Sequence, residues 1–117
     1  MLNLFNRKPA APTPDPKELV RMVKAGEAVL VDVREPGEWA AGHAKGAIHI
    51  PLATIRMKAD PRSPECHPAL KNAKPVVLHC ASGARSNMAT GVLREFGHEA
   101  HNIGGLSHWQ AAGGALA

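Results

Sequence analysis

A chain of 117 residues with 44% hydrophobic content is long enough for one packed core and too short for two. Its formal charge of +4 comes from scattered lysines and arginines, and with no tyrosine, two phenylalanines and two tryptophans there is little to stack on bases, so no nucleic-acid surface is expected. No apolar run approaches the roughly eighteen residues of a membrane span, and two cysteines cannot build a disulfide framework, which fits the reducing cytoplasm.

Residues 1–14 read as a flexible leader. The apolar Leu2, Leu4 and Phe5 precede Arg7 and Lys8, the reverse of a secretory signal, and Pro9, Pro12 and Pro14 follow. A short amphipathic membrane contact by the three apolar residues is the alternative. From 15 to 117 one folded domain is expected. Asp15, Pro16 and Glu18 form a helix start, and Leu19, Val20, Met22 and Val23 supply an apolar face up to about Ala25, with Gly26 as the stop. The β-branched run from Ala28 to Val33 predicts a strand buried on both faces.

A short helix is expected within Glu35 to Ala41, then a strand over Ala47 to Ile50 ended by Pro51. Leu52 to Met57 reads as helical, Asp60 to Pro64 as a loop, and Pro68 to Asn72 as another short helix. Val76 to His79 is the next strand. After Ser86, Met88, Ala89, Val92, Leu93 and Phe96 recur at three and four positions, a helix closed by Gly97. Ala100 to Ile103 predicts a further strand, Gly104-Gly105 a tight turn, and Leu106 to Ala112 a last helix with Trp109 inward. Strands alternating with helices imply a three-layer α/β domain with a mostly parallel sheet. Ligands of such sheets gather at the carboxyl ends of the strands, where Cys80, Arg34 and Gly104-Gly105 all fall.

The informative segment is Cys80-Ala81-Ser82-Gly83-Ala84-Arg85-Ser86, between a strand and a helix. Gly83 permits backbone torsions that let the loop curl with its N–H groups inward, and the helix start adds a positive dipole end. Arg85 adds charge at the rim or braces the loop from behind, and Ser86 can cap the helix and donate a hydrogen bond. All of these favour a thiolate at Cys80, the reactive form of cysteine.

Asp32 sits in an otherwise apolar strand, where its carboxylate needs a partner, and Arg34 or a loop N–H is nearest. Asp32 is therefore read as structural. For Arg34 a surface pair with Glu35 or Glu38 and a role at the site stand side by side. His43 and His49 are read as packing residues. Seven histidines form no metal-ligand spacing, so no metal and no cofactor is expected. Cys66 is either a resolving thiol for Cys80 or a bystander.

Together these residues resemble the single-domain rhodaneses, thiosulfate or persulfide sulfurtransferases, over about Asp15 to Ala112. The resemblance rests on Val31-Asp32-Val33-Arg34-Glu35-Pro36-Gly37-Glu38-Trp39, on Gly42-His43 through Ile50-Pro51, on Cys80 to Ser86, and on Gly104-Gly105-Leu106 with Trp109. It implies that Cys80 carries a persulfide, that Ala81 to Arg85 cradle it, that Arg34 lies near the entrance, and that Asp32 and His43 shape the first segment. It also implies a five-stranded parallel sheet, of which four strands are legible; a fifth would come from Ala11 to Thr13. The implied substrates are a small sulfur donor, thiosulfate or a persulfide, and a thiol or cyanide acceptor, with a protein acceptor as a further option. Related dual-specificity phosphatases and arsenate reductases have one more residue between cysteine and arginine, so the Cys-x4-Arg spacing here favours a single sulfur over a phosphate. A phosphatase-like hydrolase and a non-catalytic rhodanese-like binding module are the alternatives.

Overall fold

The computed structural model describes residues 12–117 and places four parallel strands in the order β2-β1-β3-β4, with helices on both faces. Helix α1 spans Pro16–Lys24, with Asp15 accepting from the Lys17 N–H at its start, and leads into β1, Val29–Asp32. Helix α2, Pro36–Ala41, is followed by the two-residue β2, Ile48–His49. A 3₁₀ turn over Leu52–Thr54 runs into α3, Ile55–Ala59, and a second 3₁₀ turn, Pro68–Leu70, precedes β3, Val76–Cys80. Helix α4, Ala84–Glu95, β4, Ala100–Gly105, and α5, Leu106–Ala111, complete the domain.

Alternation along the strands divides the core into two layers. Val31, Val76, Leu78 and Cys80 face α3 and α4, packed with Ile55, Ala89 and Leu93. Leu30, Val77 and Ile103 face the other way, against Leu19 and Val20 of α1 and Trp109 of α5, which is 1% exposed. The central strands β1 and β3 are almost wholly buried, as their largely apolar runs predict.

Three expectations are corrected. Gly104 and Gly105 do not form a turn: they finish β4, with Gly105 paired to Cys80, because β4 carries one extra residue between the pairs Leu78 with Asn102 and His79 with Gly104. The helical stretch from Leu52 begins as a 3₁₀ turn rather than an α-helix. No fifth strand is found among the described residues; Thr13 carries no strand and Ala11, like the leader up to that point, lies outside them. No helix among the described residues is long and apolar enough to cross a membrane.

Candidate functional site at the end of β3

Cys80 is the last residue of β3, fully buried, and the chain turns at once into α4. Gly83 makes the turn. Its φ of 113° lies in the region open to glycine, and a Cβ there would sit 3.3 Å from the Gly104 backbone. With the backbone so bent, the Gly83 N–H donates to Cys80 Sγ at 2.9 Å, and the Ser86 hydroxyl lies 3.3 Å from the same sulfur. The expected cap differs: Gly83 occupies the N-cap of α4, and Ser86, in its first turn, directs its hydroxyl back over the loop.

Burial raises the Cys80 thiol pKa, but hydrogen bonds from the Ser86 side chain and from the Ser86, Gly83 and Ser82 amides outweigh it and bring the group down to about 7. Cys66 is the opposite case, a buried thiol pushed up by desolvation with its Sγ 3.6 Å from the His67 carbonyl. Iodoacetamide is therefore expected to modify Cys80 with a rate that rises through a midpoint near pH 7, while Cys66 reacts only after denaturation. Peptide mass mapping across a pH series checks this.

The loop is tied to the sheet by a residue that sequence reasoning missed, Asn102. Its side-chain oxygen accepts from the Gly104 N–H at 2.9 Å and from the Ser86 hydroxyl at 2.7 Å, and its amide donates to the Gly83 carbonyl at 3.1 Å. Asn102 reaches across because its register partner is Leu78, two residues before Cys80 on the same face. A polar residue inside the short run Ala100 to Ile103 was the available signal. Gly105 allows the final closure: a Cβ there would meet the Ala81 carbonyl at 2.2 Å, so β4 and the loop touch backbone to backbone.

Arg85 is bound by Glu38, which the sequence offered only as a surface partner for Arg34. The guanidinium meets the carboxylate two-pronged, at 2.6 and 2.9 Å, and Glu38 also accepts from the Glu35 N–H at the start of α2. The arginine, first among the causes, and that backbone bond hold the Glu38 carboxyl down at about 2. Arg34 does not pair with Glu35 or Glu38. Its guanidinium is buried against Asp32, at 2.8 Å for the shortest contact, and donates to the Gly42 carbonyl at 2.7 Å, while its own N–H bonds Asp32 at 2.9 Å. Asp32 thus uses both partners foreseen for it, and despite burial, which acts to raise it, the Arg34 hydrogen bonds keep its pKa below the usual carboxylate range.

Parallel pairing sets Asp32 beside His79, which points away from Cys80 into the other layer. His79 Nδ1 lies 3.2 Å from the Cys80 carbonyl, which can only accept, so that nitrogen carries the proton. Its Nε2 has no hydrogen bond and lies 3.6 Å from Asp32, and burial drives the ring toward the neutral form. His43 stacks on Trp39 with ring centroids 3.5 Å apart and bonds the Trp39 carbonyl, and His49 stacks on the same indole at 4.8 Å, so both lie in the wall formed by the first segment. A cleft of about 630 Å³ between Val23, Lys24, Lys45 and Trp109 lies at the amino ends of the strands, away from Cys80.

The family model for the rhodanese-like domain aligns with residues 15–112 of this chain, which include the strand-end cysteine and its loop. The chain belongs to the rhodanese family. Among rhodanese-related curated proteins, a sulfurtransferase of Allochromatium vinosum is 32% identical over 97 residues, covering 80% of this chain and 81% of that one. Among solved structures, the human single-domain sulfurtransferase TSTD1 superposes with a TM-score of 0.68 at 29% identity, covering 91% of this chain and all of the other. A Rhodopseudomonas palustris protein of unknown function, described as a possible tyrosine phosphatase, superposes at 0.76 with 30% identity over 90% of this chain and 83% of its own. Other curated relatives are longer: this chain spans 61%, 51% and 40% of three of them. Family membership and fold thus agree with the expected rhodanese-like α/β domain.

Proposed function

We propose that this rhodanese-family protein is a sulfurtransferase that carries sulfane sulfur as a persulfide on Cys80. The Cys80 thiolate attacks the outer sulfur of thiosulfate; a new S–S bond forms as the bond to the sulfonate sulfur breaks, and its electron pair leaves with sulfite. From a persulfide donor, RS–SH, the same attack releases the thiolate RS⁻ and leaves the proton on the transferred sulfur. A thiol or cyanide then attacks that outer sulfur and returns Cys80 to the thiolate. Each step exchanges one S–S bond or forms one S–C bond with no net oxidant.

The observation that carries this reading is the Cys80 sulfur held by the Gly83 N–H and the Ser86 hydroxyl with its pKa near 7, which supplies a nucleophile at neutral pH without a separate base. Ala81 to Arg85 form the cradle, and Arg34, Asp32 and His43 act as scaffold behind it rather than as substrate contacts. Phosphate hydrolysis is disfavoured because Glu38 neutralises Arg85 and occupies the end-on face of its guanidinium, weakening its hold on phosphoryl oxygens. We place the reaction in the cytoplasm, where both free cysteines stay reduced.

Intact mass after incubation with thiosulfate tests the proposal. One added sulfur atom is expected, located at Cys80 by peptide mapping and discharged by cyanide as thiocyanate. An unchanged mass with both thiosulfate and an organic persulfide overturns it.

A further inference from the structure

The two arginines at the carboxyl ends of the central strands are both neutralised. Arg34 is spent on Asp32, and Arg85, the one beside the loop, meets Glu38 through both terminal nitrogens. Glu38 is fixed in place independently, since its carboxylate also accepts the Glu35 N–H and so belongs to the first turn of α2. The pair is a third exposed, yet the two-pronged contact and the backbone tether give it a defined geometry that a simple surface pair lacks. Arg85 sits in the first turn of α4, at the rim of the loop that holds Cys80, and the Cys80 sulfur is among the groups that favour its charged form. Around it the loop side chains Ala81, Ser82 and Ala84 are uncharged and exposed.

We propose, building on the persulfide reading above, that Glu38 is a specificity-determining residue: it cancels the charge of Arg85 at the rim of the Cys80 loop and so selects organic persulfides, which react in the uncharged RS–SH form, over the thiosulfate dianion. The loop then offers a dianion amide and hydroxyl hydrogens but no net positive side chain, while the Cys80 thiolate repels it. A persulfide in its RS–SH form, which exchanges rapidly with RS–S⁻ at neutral pH, meets no such repulsion, because its attacked sulfur is neutral and the negative charge moves onto the departing thiolate only as the bond breaks. In that step the Cys80–S bond forms, the RS–S bond breaks, RS⁻ leaves with the electron pair, and the hydrogen stays on the transferred sulfur. Glu38 acts through Arg85 and touches no reacting atom, so it is a positioning residue.

The first test needs no sulfur transfer. Cys80 is alkylated with iodoacetate, an anion, and with iodoacetamide, its neutral counterpart, and the ratio of the two rates is taken, so that any change in the thiolate fraction cancels. Glu38→Gln, which keeps an acceptor for the Glu35 N–H, is expected to raise the ratio about fivefold to tenfold, the effect of one uncompensated charge at the rim of a partly solvated site. The double variant Glu38→Gln with Arg85→Gln is expected to return it to the wild-type value. The second test compares kcat/KM for thiosulfate and for the persulfide of N-acetylcysteine methyl ester. With kcat/KM referred to the RS–SH form, wild type is expected to favour the persulfide at least about tenfold, and Glu38→Gln to narrow that gap by the factor seen in alkylation. An unchanged alkylation ratio in Glu38→Gln overturns the charge argument, and a wild-type protein that uses thiosulfate as well as the persulfide overturns the preference. A wild-type protein that accepts sulfur from neither donor overturns the transfer reading and the preference with it, whatever the alkylation ratio does.

Discussion

Replacing Cys80 by serine is expected to abolish sulfur uptake and to lower thiosulfate:cyanide turnover by about a thousandfold or more, with the fold retained. The physical reason is the gap between the two groups. The amides and the Ser86 hydroxyl bring a thiol to about 7, but the same donors leave an alcohol far from ionised at that pH. Serine fills nearly the same volume, so the packing around Val76, Leu78 and Ala89 is undisturbed. A linked effect on stability separates loss of chemistry from loss of fold. Because the folded thiol titrates near 7 and the unfolded one about two units higher, the thiolate adds stability that is full above the unfolded value and is lost as pH falls through 7. Wild type is thus expected to gain on the order of 2 kcal/mol over Cys80→Ser between pH 7 and 9, read by urea unfolding at a series of pH values. Full turnover in the serine variant would remove Cys80 from the reaction.

Asp32→Ala is expected to be the most damaging change away from the loop. It strands the Arg34 guanidinium, 7% exposed, with the Gly42 carbonyl as its remaining partner, and leaves the His79 ring without its buried neighbour. Breaking one side of such a pair costs about 3–5 kcal/mol, which for a domain of this size lowers Tm by about 10–25 °C. Removing the stranded charge as well, in Asp32→Ala with Arg34→Met, is expected to recover a good part of the loss. The Asp32 carboxyl titrates below its unfolded value, so its contribution is present above about pH 4 and disappears as pH falls through the folded pKa. Calorimetry of the three proteins at neutral and acidic pH measures all of this. A single variant as stable as wild type would show that Arg34 finds water once Asp32 is gone.

Much of the site is a local property of the chain. A β-branched run, a cysteine at its end, a glycine three residues on and an amphipathic helix are neighbours in sequence, and the curl of the Cys80 to Ser86 loop follows from their backbone preferences. The carboxylate inside the Ala28 to Val33 run announced a buried partner because an isolated charge there is too costly, and Arg34 two residues away was within reach. The misread Gly104-Gly105 shows the limit. Two glycines are a turn signal on their own, and only the approach of the loop, with the Ala81 carbonyl against Gly105, makes them the end of a strand.

Periodicity and composition were therefore sufficient for the layered α/β domain, and the Cys80 segment for the proposed nucleophile, because each rests on residues within about one turn or strand of one another, whereas the rhodanese resemblance drew on segments from Val31 to Trp109. Strand order and register decided the rest. Placing β1 between β2 and β3 sets Asp32 against His79, the register of β4 on β3 puts Asn102 opposite Leu78 and so on the face of Ser86, and the packing of α2 near the start of α4 joins Glu38 to Arg85 across 47 residues. Such pairings depend on how whole elements stack, and the free energy that selects the stacking is spread over the core rather than written at the residues it joins.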